Sequence, residues 1–288
     1  MYDICTIGPI SNDTIINADT TRCLPGGTAY YVANALQQFP LRQQVITVLE
    51  ASDHALVEPM RVAGIDVHIL PSHHTVSFEN KYSADQSDPE QRVRHQSSPF
   101  SLEHMPALTT KLVHLGPLLS QDIPLALLET LAQTNRISLD IQGYLRDVRN
   151  HKVVYRDWAA KKQALPLVNI LKANEMEMGV LTGQKSPREG ALYLADMGVE
   201  EVVITLGKKG SLVYSNGTFH TVRAFSPTAV VDTTGCGDTY MAGYLAQRVQ
   251  GVDIPQAAEF GAAMASLKVS TFGPFCGPPE MVESRLNE

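Results

Sequence analysis

The sequence predicts an α/β protein, a mainly parallel sheet with helices on both faces, together with a small β lid. Three observations carry this. From about residue 111 onward, short apolar runs alternate with segments of helical period, the pattern of a parallel sheet covered on both sides. Residues 72–98 interrupt that order with a polar, His- and Gln-rich stretch that reads as an exposed excursion. Glycines, Asn and Asp gather directly after the strand-like runs, where sheets of this kind bind their ligands.

Taken in order, residues 2–8 read as a buried strand ending at Gly8-Pro9, followed by a mixed segment that carries Asn12-Asp13. Pro25-Gly26-Gly27 opens a helix over 28–39, apolar at Tyr31, Ala35 and Leu36. A strand over 45–49, a helix over 53–62 weakened by Pro59, and a strand over 66–70 come next. In the polar excursion, 75–82 and 91–96 are expected to pair as a hairpin across Asp85-Gln86-Ser87-Asp88-Pro89. Its histidines, His73, His74 and His95, lack a metal-ligand spacing and read as solvated. Then follow a strand over 112–115, a helix over 122–134 and a strand over 137–141 that carries Asp140. A helix over 157–165, a strand over 168–172 and helices starting at Asn174 and Pro187 continue the alternation. Strands over 201–206, 211–215 and 218–224 precede the last two helices. The expected organisation is one domain over 1–288, its lid built from about 10–25 and 70–100.

Composition narrows the function. Of the 288 residues, 44% are hydrophobic and 18% charged, ordinary for a globular enzyme or binding protein. A net charge of −7 argues against a nucleic-acid partner, because phosphate backbones reward clustered Lys and Arg. No apolar run approaches the roughly 18 residues of a spanning helix, so no membrane partner is expected. Met1 leads straight into a strand-like run rather than a basic and then apolar leader, and Cys5, Cys23, Cys236 and Cys276 show no CxxC spacing. A cytoplasmic location is expected.

The most informative stretch is Asp232-Thr233-Thr234-Gly235-Cys236-Gly237-Asp238. It reads as the end of a strand, a tight glycine turn and a helix start, with Met241, Leu245 and Val249 on one helix face. Free N–H groups and the positive end of the helix dipole make such a start an anion site. Asp238 is then either a dipole-complementing residue of a capped helix or a reacting group placed where a phosphate would bind. Asn174-Glu175-Met176-Glu177 reads as a capping box, and Thr205-Leu206-Gly207-Lys208-Lys209-Gly210 as a glycine-bearing loop after a strand. Neither a GxxxxGK[ST] loop nor a GxGxxG after the first strand occurs, which removes a P-loop and makes a dinucleotide oxidoreductase a poor reading.

These motifs, in this order and over nearly the whole chain, resemble those of the ribokinase-like (phosphofructokinase-B type) carbohydrate kinases. Asp232–Asp238 is similar to that family's D-T-x-G-A-G-D signature, Asn174–Glu177 to its N-x-x-E motif and Thr205–Gly210 to its T-x-G-x-x-G loop. Asn12-Asp13 and Gly26-Gly27 stand where it has a sugar-binding Asp and a glycine pair. The resemblance implies transfer of the γ-phosphoryl group of ATP, with Mg²⁺, to a hydroxyl of a sugar, polyol or nucleoside. It implies Asp238 as general base and the amides of Gly235, Cys236 and Gly237 as the anion hole. Asn174 and Glu177 would hold the Mg²⁺ shell, and Thr205, Gly207 and Gly210 would line the nucleotide, with Lys208 and Lys209 solvated. Asp13, Gly26 and Gly27 would bind the acceptor, with Glu79 and Tyr82 of the hairpin closing over it.

Asp140 and Arg146, in Asp140-Ile141-Gln142-Gly143-Tyr144-Leu145-Arg146, are weakly similar to the inositol-kinase branch; Arg146 would reach a phosphate or acceptor, or else form a surface ion pair. Two positions depart from the family pattern. Cys236 replaces the usual Ala and is either a thiol activated by the helix start or an inert one. Tyr31 replaces the usual Asn, which removes an amide from the acceptor side and leaves a metabolite-sensing, non-catalytic relative as the rival reading. An open hairpin edge could also pair with a second copy to form a homodimer through the lid.

Overall fold

The computed structural model describes residues 1–16, 21–81 and 90–288. In chain order its strands begin with β1 (Tyr2–Ile7), β2 (Ser11–Ile16), β3 (Thr21–Gly26), β4 (Gln43–Leu49) and β5 (Asp66–Pro71). Next come β6 (Ser77–Lys81), β7 (Glu90–His95), β8 (Thr110–Leu115), β9 (Arg136–Asp140), β10 (Arg146–Arg149) and β11 (Lys152–Tyr155). The last are β12 (Ile170–Asn174), β13 (Glu201–Thr205), β14 (Ser211–Ser215) and β15 (Thr218–Val222). The α-helices are α1 (Thr28–Ala35), α2 (Glu58–Val62), α3 (Leu125–Ala132), α4 (Lys161–Ala164) and α5 (Glu175–Thr182). They continue with α6 (Pro187–Asp196), α7 (Cys236–Val249), α8 (Ile254–Val269) and α9 (Pro279–Leu286).

Among the described residues nine strands form one sheet in the order β15-β14-β13-β12-β9-β8-β1-β4-β5. From β13 to β5 every pairing is parallel, and β14 and β15 close one edge antiparallel. Each parallel pair needs a crossover, and the helices supply most of them, which is why apolar residues line both faces of the central strands. Leu171 and Ala173 of β12 look toward Leu128, Met178 and Leu194 on α3, α5 and α6. Ile170 looks the other way, toward Met241, Leu245 and Ala263 on α7 and α8. The carboxyl ends of β1, β9, β12 and β13 therefore open on one rim, beside the start of α7.

A second sheet, in the order β3-β2-β6-β7, is the expected β lid. β2 and β3 form a hairpin from the segment over 10–25, and β6 pairs parallel with β2 and antiparallel with β7. The expected turn at Asp85–Pro89 lies outside the described residues.

Several elements differ from the sequence expectation, each for a local reason. Pro59 sits in the first turn of α2, where its missing N–H costs nothing, and the chain before it is a 3₁₀ helix over Ala51–Val57. The helix expected over 122–134 starts at Leu125, because the buried Asp122 carboxylate instead takes the Leu118 and Leu119 N–H groups at 2.8 Å. The helix over 157–165 shrinks to α4, and β10 and β11 form a small hairpin not anticipated before it. No strand precedes the glycine turn: Val230 and Val231 are 73% and 54% exposed and pair with no strand, although Val231 N–H donates to the Val269 carbonyl. α9 was not anticipated either; Val282 buries it against the α8 side of the core.

α7 is held to the sheet by an ionic clamp. Glu201 of β13 is buried and takes Arg248 Nη2 at 2.6 Å, Arg248 Nε at 3.1 Å and the Tyr244 hydroxyl at 2.6 Å. Arg248→Met should leave that carboxylate with only one, longer cation contact, to Arg136 at 3.7 Å, and cost about 1–3 kcal/mol. The check is a urea titration, in which the midpoint falls at unchanged slope; an unmoved midpoint would remove the clamp from the account.

Candidate active site

The glycine turn is built as the sequence suggests. Gly235 has φ +73°, a left-handed conformation that side chains resist, and a Cβ there would lie 2.2 Å from the Tyr31 ring. No side chain caps α7; its first helical bond is from Thr239 N–H to the Gly235 carbonyl at 2.8 Å. The amides of the first turn are thus left for a ligand. One detail differs from the expected trio. The Cys236 N–H already donates to the Thr233 carbonyl at 3.3 Å, a long turn bond, so Gly235 and Gly237 are the freer members.

Beneath the turn lies a buried ionic cluster. Lys172 stands opposite Asp140 in the β9–β12 register, and its Nζ donates to Asp140 Oδ2 at 2.9 Å and lies 3.7 Å from Glu177 Oε2. A Cβ on Gly237 would come 3.2 Å from the same nitrogen. Burial works against the charge on Lys172, but Asp140, Glu177 and Asp238 together hold its ammonium above the ordinary lysine range. Asp238, half-buried on the first turn of α7, is pushed up to about 6: burial raises it most, Asp140 raises it further, and Lys172 and the Thr28 hydroxyl work in the opposite direction. A carboxylate poised there takes a proton more readily than an ordinary aspartate. His114, on β8, bonds Ser138 on β9 at 3.0 Å, and burial drives its imidazole down to about 4, so it stays neutral beside the cluster.

The capping box at the start of α5 is present. Asn174 N–H donates to Glu177 Oε2 at 2.7 Å, and Glu177 N–H to Asn174 Oδ1 at 2.8 Å. Glu177 Oε1 is buried with no partner, an unused acceptor beside the Lys172 cluster, beneath Asn174 of the rim. Among the described residues no group of three or more His, Cys, Asp or Glu could hold a metal by itself. An ion here would need a donor set shared with phosphates and water, which is the habit of Mg²⁺.

A cleft of about 570 Å³ runs from Lys172 and Asn174 past Thr205, Gly207, Gly210 and Gly235–Asp238. Its far wall is apolar, from Ala224, Phe225, Pro227, Val230, Ala265 and Val269. Of the expected loop lysines, Lys208 lines the cleft and Lys209 is exposed, paired with Glu175 at 3.2 Å.

On the other side of Asp238, Asp13 and Ser11 stand over Gly26, where a Cβ would meet Asp13 Oδ2 at 2.7 Å and Ser11 Oγ at 2.8 Å. Burial pushes Asp13 up to about 6, against the Phe78 N–H and Ser11. Gly27 precedes α1, whose Thr28 reaches Asp238 and so joins the two sides. Tyr31 packs its ring on Gly235; burial first, then Asp232, Asp238 and Asp13, hold its phenol well above the usual range, so it remains a neutral donor among carboxylates.

Asn12 does not share this place. Strand alternation turns it to the opposite face, where it donates to Asp53 at 3.3 Å and borders a separate hollow of about 330 Å³. Arg146 lies at the start of β10 beside Tyr155, with Nη2 3.4 Å from that hydroxyl and a buried Nε without partner, and it is not part of the cleft wall. Asp140 is spent on Lys172 and the Gln142 N–H. Glu79 is paired with Arg94 within the lid, and Tyr82 lies outside the described residues.

Sequence reasoning missed Lys172 and Thr28. For Lys172 the signal was available: it alternates with Ile170 in a four-residue buried run, which places it inside, and an interior lysine requires carboxylates. Thr28 carried no mark beyond following Gly27.

Residues 1–279 match the model of the pfkB family carbohydrate kinases. The chain belongs to this family. It is accordingly a phosphotransferase with an alcohol group as acceptor. Cytidine kinase of Thermococcus kodakarensis is 28% identical over 287 residues, 95% of this chain and 98% of that one. A solved pyrophosphate-dependent kinase of the ribokinase family, complexed with a pyrophosphate analog and myo-inositol, is 28% identical, with TM-score 0.87 and coverage of 98% and 99%. Arabidopsis thaliana ribokinase complexed with ribose and ATP is 20% identical with TM-score 0.80 over 100% and 99% of the chains, a likeness of fold. Like these, the pfkB protein described here is a large, mostly parallel sheet with helices and a small second sheet.

At the family's usual Ala position the Cys236 thiol is not activated. Burial pushes it up to about 11, and the nearby Lys268 only partly opposes this. At pH 8 about a thousandth of it would be thiolate. Cys236 should therefore alkylate far more slowly than the exposed Cys23, as peptide mass mapping of a timed iodoacetamide reaction would show. Equal rates would overturn this assignment.

Proposed function

We propose that the chain transfers the γ-phosphoryl group of ATP to a hydroxyl of a sugar, polyol or related small molecule, with Asp238 as general base. The observation that carries this reading is the juxtaposition of a free helix start, Gly235–Gly237, with a carboxylate held near about 6 in the same turn. Asp238 accepts the acceptor's hydroxyl proton as its oxygen attacks phosphorus, and the turn's amides take up the charge on the phosphoryl oxygens. Asn174 and Glu177, whose Oε1 is unpartnered, would hold the hydrated Mg²⁺. That ion, when bound, neutralises the donor's phosphates. Asp13, Ser11 and the Gly26-Gly27 turn favour an acceptor with neighbouring hydroxyls, since a buried carboxylate accepts two hydrogen bonds side by side. The small sheet and the main sheet are read as one functional unit, the lid excluding water from the reacting groups.

A second donor has a specific observation behind it, since a similar solved structure is a pyrophosphate-dependent kinase. The apolar wall from Ala224 to Val269 favours ATP, because a base can cover it and pyrophosphate cannot. The cytidine kinase relative and the myo-inositol complex make nucleosides and inositols the first acceptors to try beside sugars.

The test is a two-donor screen in which ATP or pyrophosphate is offered with Mg²⁺ and a panel of sugars, polyols and nucleosides, and ADP or phosphate release is followed. Acceptor-dependent ADP release is expected; tight ligand binding with no release from either donor would favour a metabolite sensor. Asp238→Asn should lose about 10²–10⁴ in turnover while ATP still binds. The sign of its pKa gives a further check. Asp238 must be unprotonated to act, so kcat/KM should fall as pH drops through about 6. Its proton is bound more tightly in the folded chain than in the unfolded one, so its ionisation costs stability as pH rises through the same value. Asp238→Asn should therefore melt higher than wild type at pH 8, with the gap narrowing between pH 6 and pH 4; a lower Tm at pH 8 would contradict the buried, penalised carboxylate.

A further inference from the structure

Behind the glycine turn lies a buried cation that the reaction described above does not use. Lys268, in the last turn of α8, has a side chain with no exposed surface. Its Nζ donates to the Asp232 carboxylate at 2.8 Å, to the Asp232 carbonyl at 2.9 Å and, at the limit of 3.4 Å, to the Thr271 carbonyl. Asp232 is engaged on both oxygens: Oδ2 also takes the Gly273 N–H at 3.2 Å, and Oδ1 takes the Thr234 N–H at 2.9 Å. Thr234 is the residue next to Gly235, so the ammonium is two bonded contacts from the backbone of the anion cradle. Burial opposes ionisation of Asp232, yet Lys268 and the Thr234 N–H hold it below the usual carboxylate range.

What makes this node matter is the lack of a strand ladder: farther from the turn the segment is tied only by single bonds, such as Ser270 Oγ to the Ala229 carbonyl and Thr228 Oγ1 to Ser270 Oγ, both at 3.1 Å. The chain from Arg223 to Thr234 belongs to no strand or helix, and its Val230 and Val231 face solvent. Its main-chain ties near the turn are the Val231 and Asp232 N–H groups, at 2.9 and 3.2 Å from the Val269 carbonyl, one residue from Lys268. A strand would have fixed the turn by a ladder of backbone bonds; here an ion pair and the end of α8 do so.

We propose that Lys268 is a positioning residue: its ammonium gathers Asp232 and the loop after α8 and so holds the Thr233–Gly237 turn in the shape that receives the phosphoryl group. This rests on reading that turn as the phosphoryl cradle. It differs from a packing role, which an apolar side chain of equal length would fill. It also ties the cleft wall at Ser266 and Val269 to the same node, so donor binding and turn geometry share one support.

Lys268→Met keeps the length and removes the charge. Folding is checked by circular dichroism and melting, turnover by release of the donor's product, and ATP affinity by calorimetry. Turnover should fall by about 10²-fold, the size of losing one preorganised oxyanion contact, while the acceptor KM changes by less than about threefold. ATP should bind about tenfold more weakly, because the amides that face its phosphates are no longer held. Lys268→Gly leaves an oxygen-lined hole, and added ethylammonium should restore at least about tenfold of its turnover while leaving wild type unmoved. A folded Lys268→Met protein with wild-type turnover and ATP affinity overturns the proposal, as does failure of ethylammonium to rescue a folded Lys268→Gly. Should Lys268→Met not fold, Lys268→Gln takes its place, with the same expected losses and the same overturning result. A wild-type protein that turns over no acceptor would sink the kinase reading alone; the ATP affinities of wild type and variant would then decide the role of Lys268.

Discussion

One buried ammonium governs how the site can be built. Lys172 sits in a central strand, so its charge is tolerable only because carboxylates approach it from several elements: Asp140 in register on β9, Glu177 on α5 and Asp238 on α7. The stoichiometry has a consequence. A single cation among three carboxylates leaves the cluster negative, and Asp238, the member nearest the cleft, has its proton affinity raised. An aspartate in water is a weak base; this one is made stronger by burial first and then by the carboxylates of Asp140 and Glu177 beside it.

Two helices begin near this cluster, and the chain treats them differently. α5 is closed by a reciprocal capping box, Asn174 with Glu177. α7 begins at a glycine in the left-handed conformation with no side-chain cap. A capped start and an uncapped one, side by side, divide the labour between support and ligand. Closing the α5 amides orients Glu177 so that one oxygen serves the backbone while the other stays open. Leaving the α7 amides open costs stability locally, and the clamp of Glu201 with Arg248 and Tyr244 offsets that cost farther along the same helix.

What the sequence made legible was whatever local chemistry dictates. The strand–helix alternation, the glycine turn, the capping box and the rim positions of Asn174, Thr205, Gly207 and Gly210 all depend on residues close together in the chain. The partners of Asp140 and of Lys172 depend on strand order, which no local pattern reveals, although the alternation of Lys172 with Ile170 already places that lysine inside. Tyr31 shows the same limit. Its presence in place of Asn could be read, but not that its ring fills the space over Gly235, where a Cβ would have stood. The missing strand before Gly235 is a further instance: an apolar Val230-Val231 pair looks like a strand, yet the ladder it would need is absent and Lys268 supplies the anchor. The thiol at Cys236 went the same way, because burial raises it and the nearby Lys268 only partly opposes this, a balance set by packing.

The charge balance of the cleft finally constrains how a phosphoryl group can be held there. Lys172 is committed to carboxylates beneath the turn, and Lys208 lies at the loop end of the cleft rather than beside Asp238. Among the described residues lining the cleft, Arg is absent. On the proposed reading, negative charge growing on a transferred phosphoryl group would therefore fall to fixed dipoles and to whatever ion Asn174 and Glu177 help to bind. Dipoles of this kind act only if they are aimed beforehand, since a turn that reorganises on demand surrenders the electrostatic gain. A site of this composition would depend on rigidity more than on charge, and the residues behind Gly235 fit that need: Tyr31 is packed on the turn, while Lys172 beneath Gly237 and Asp232 with Lys268 are ion-paired.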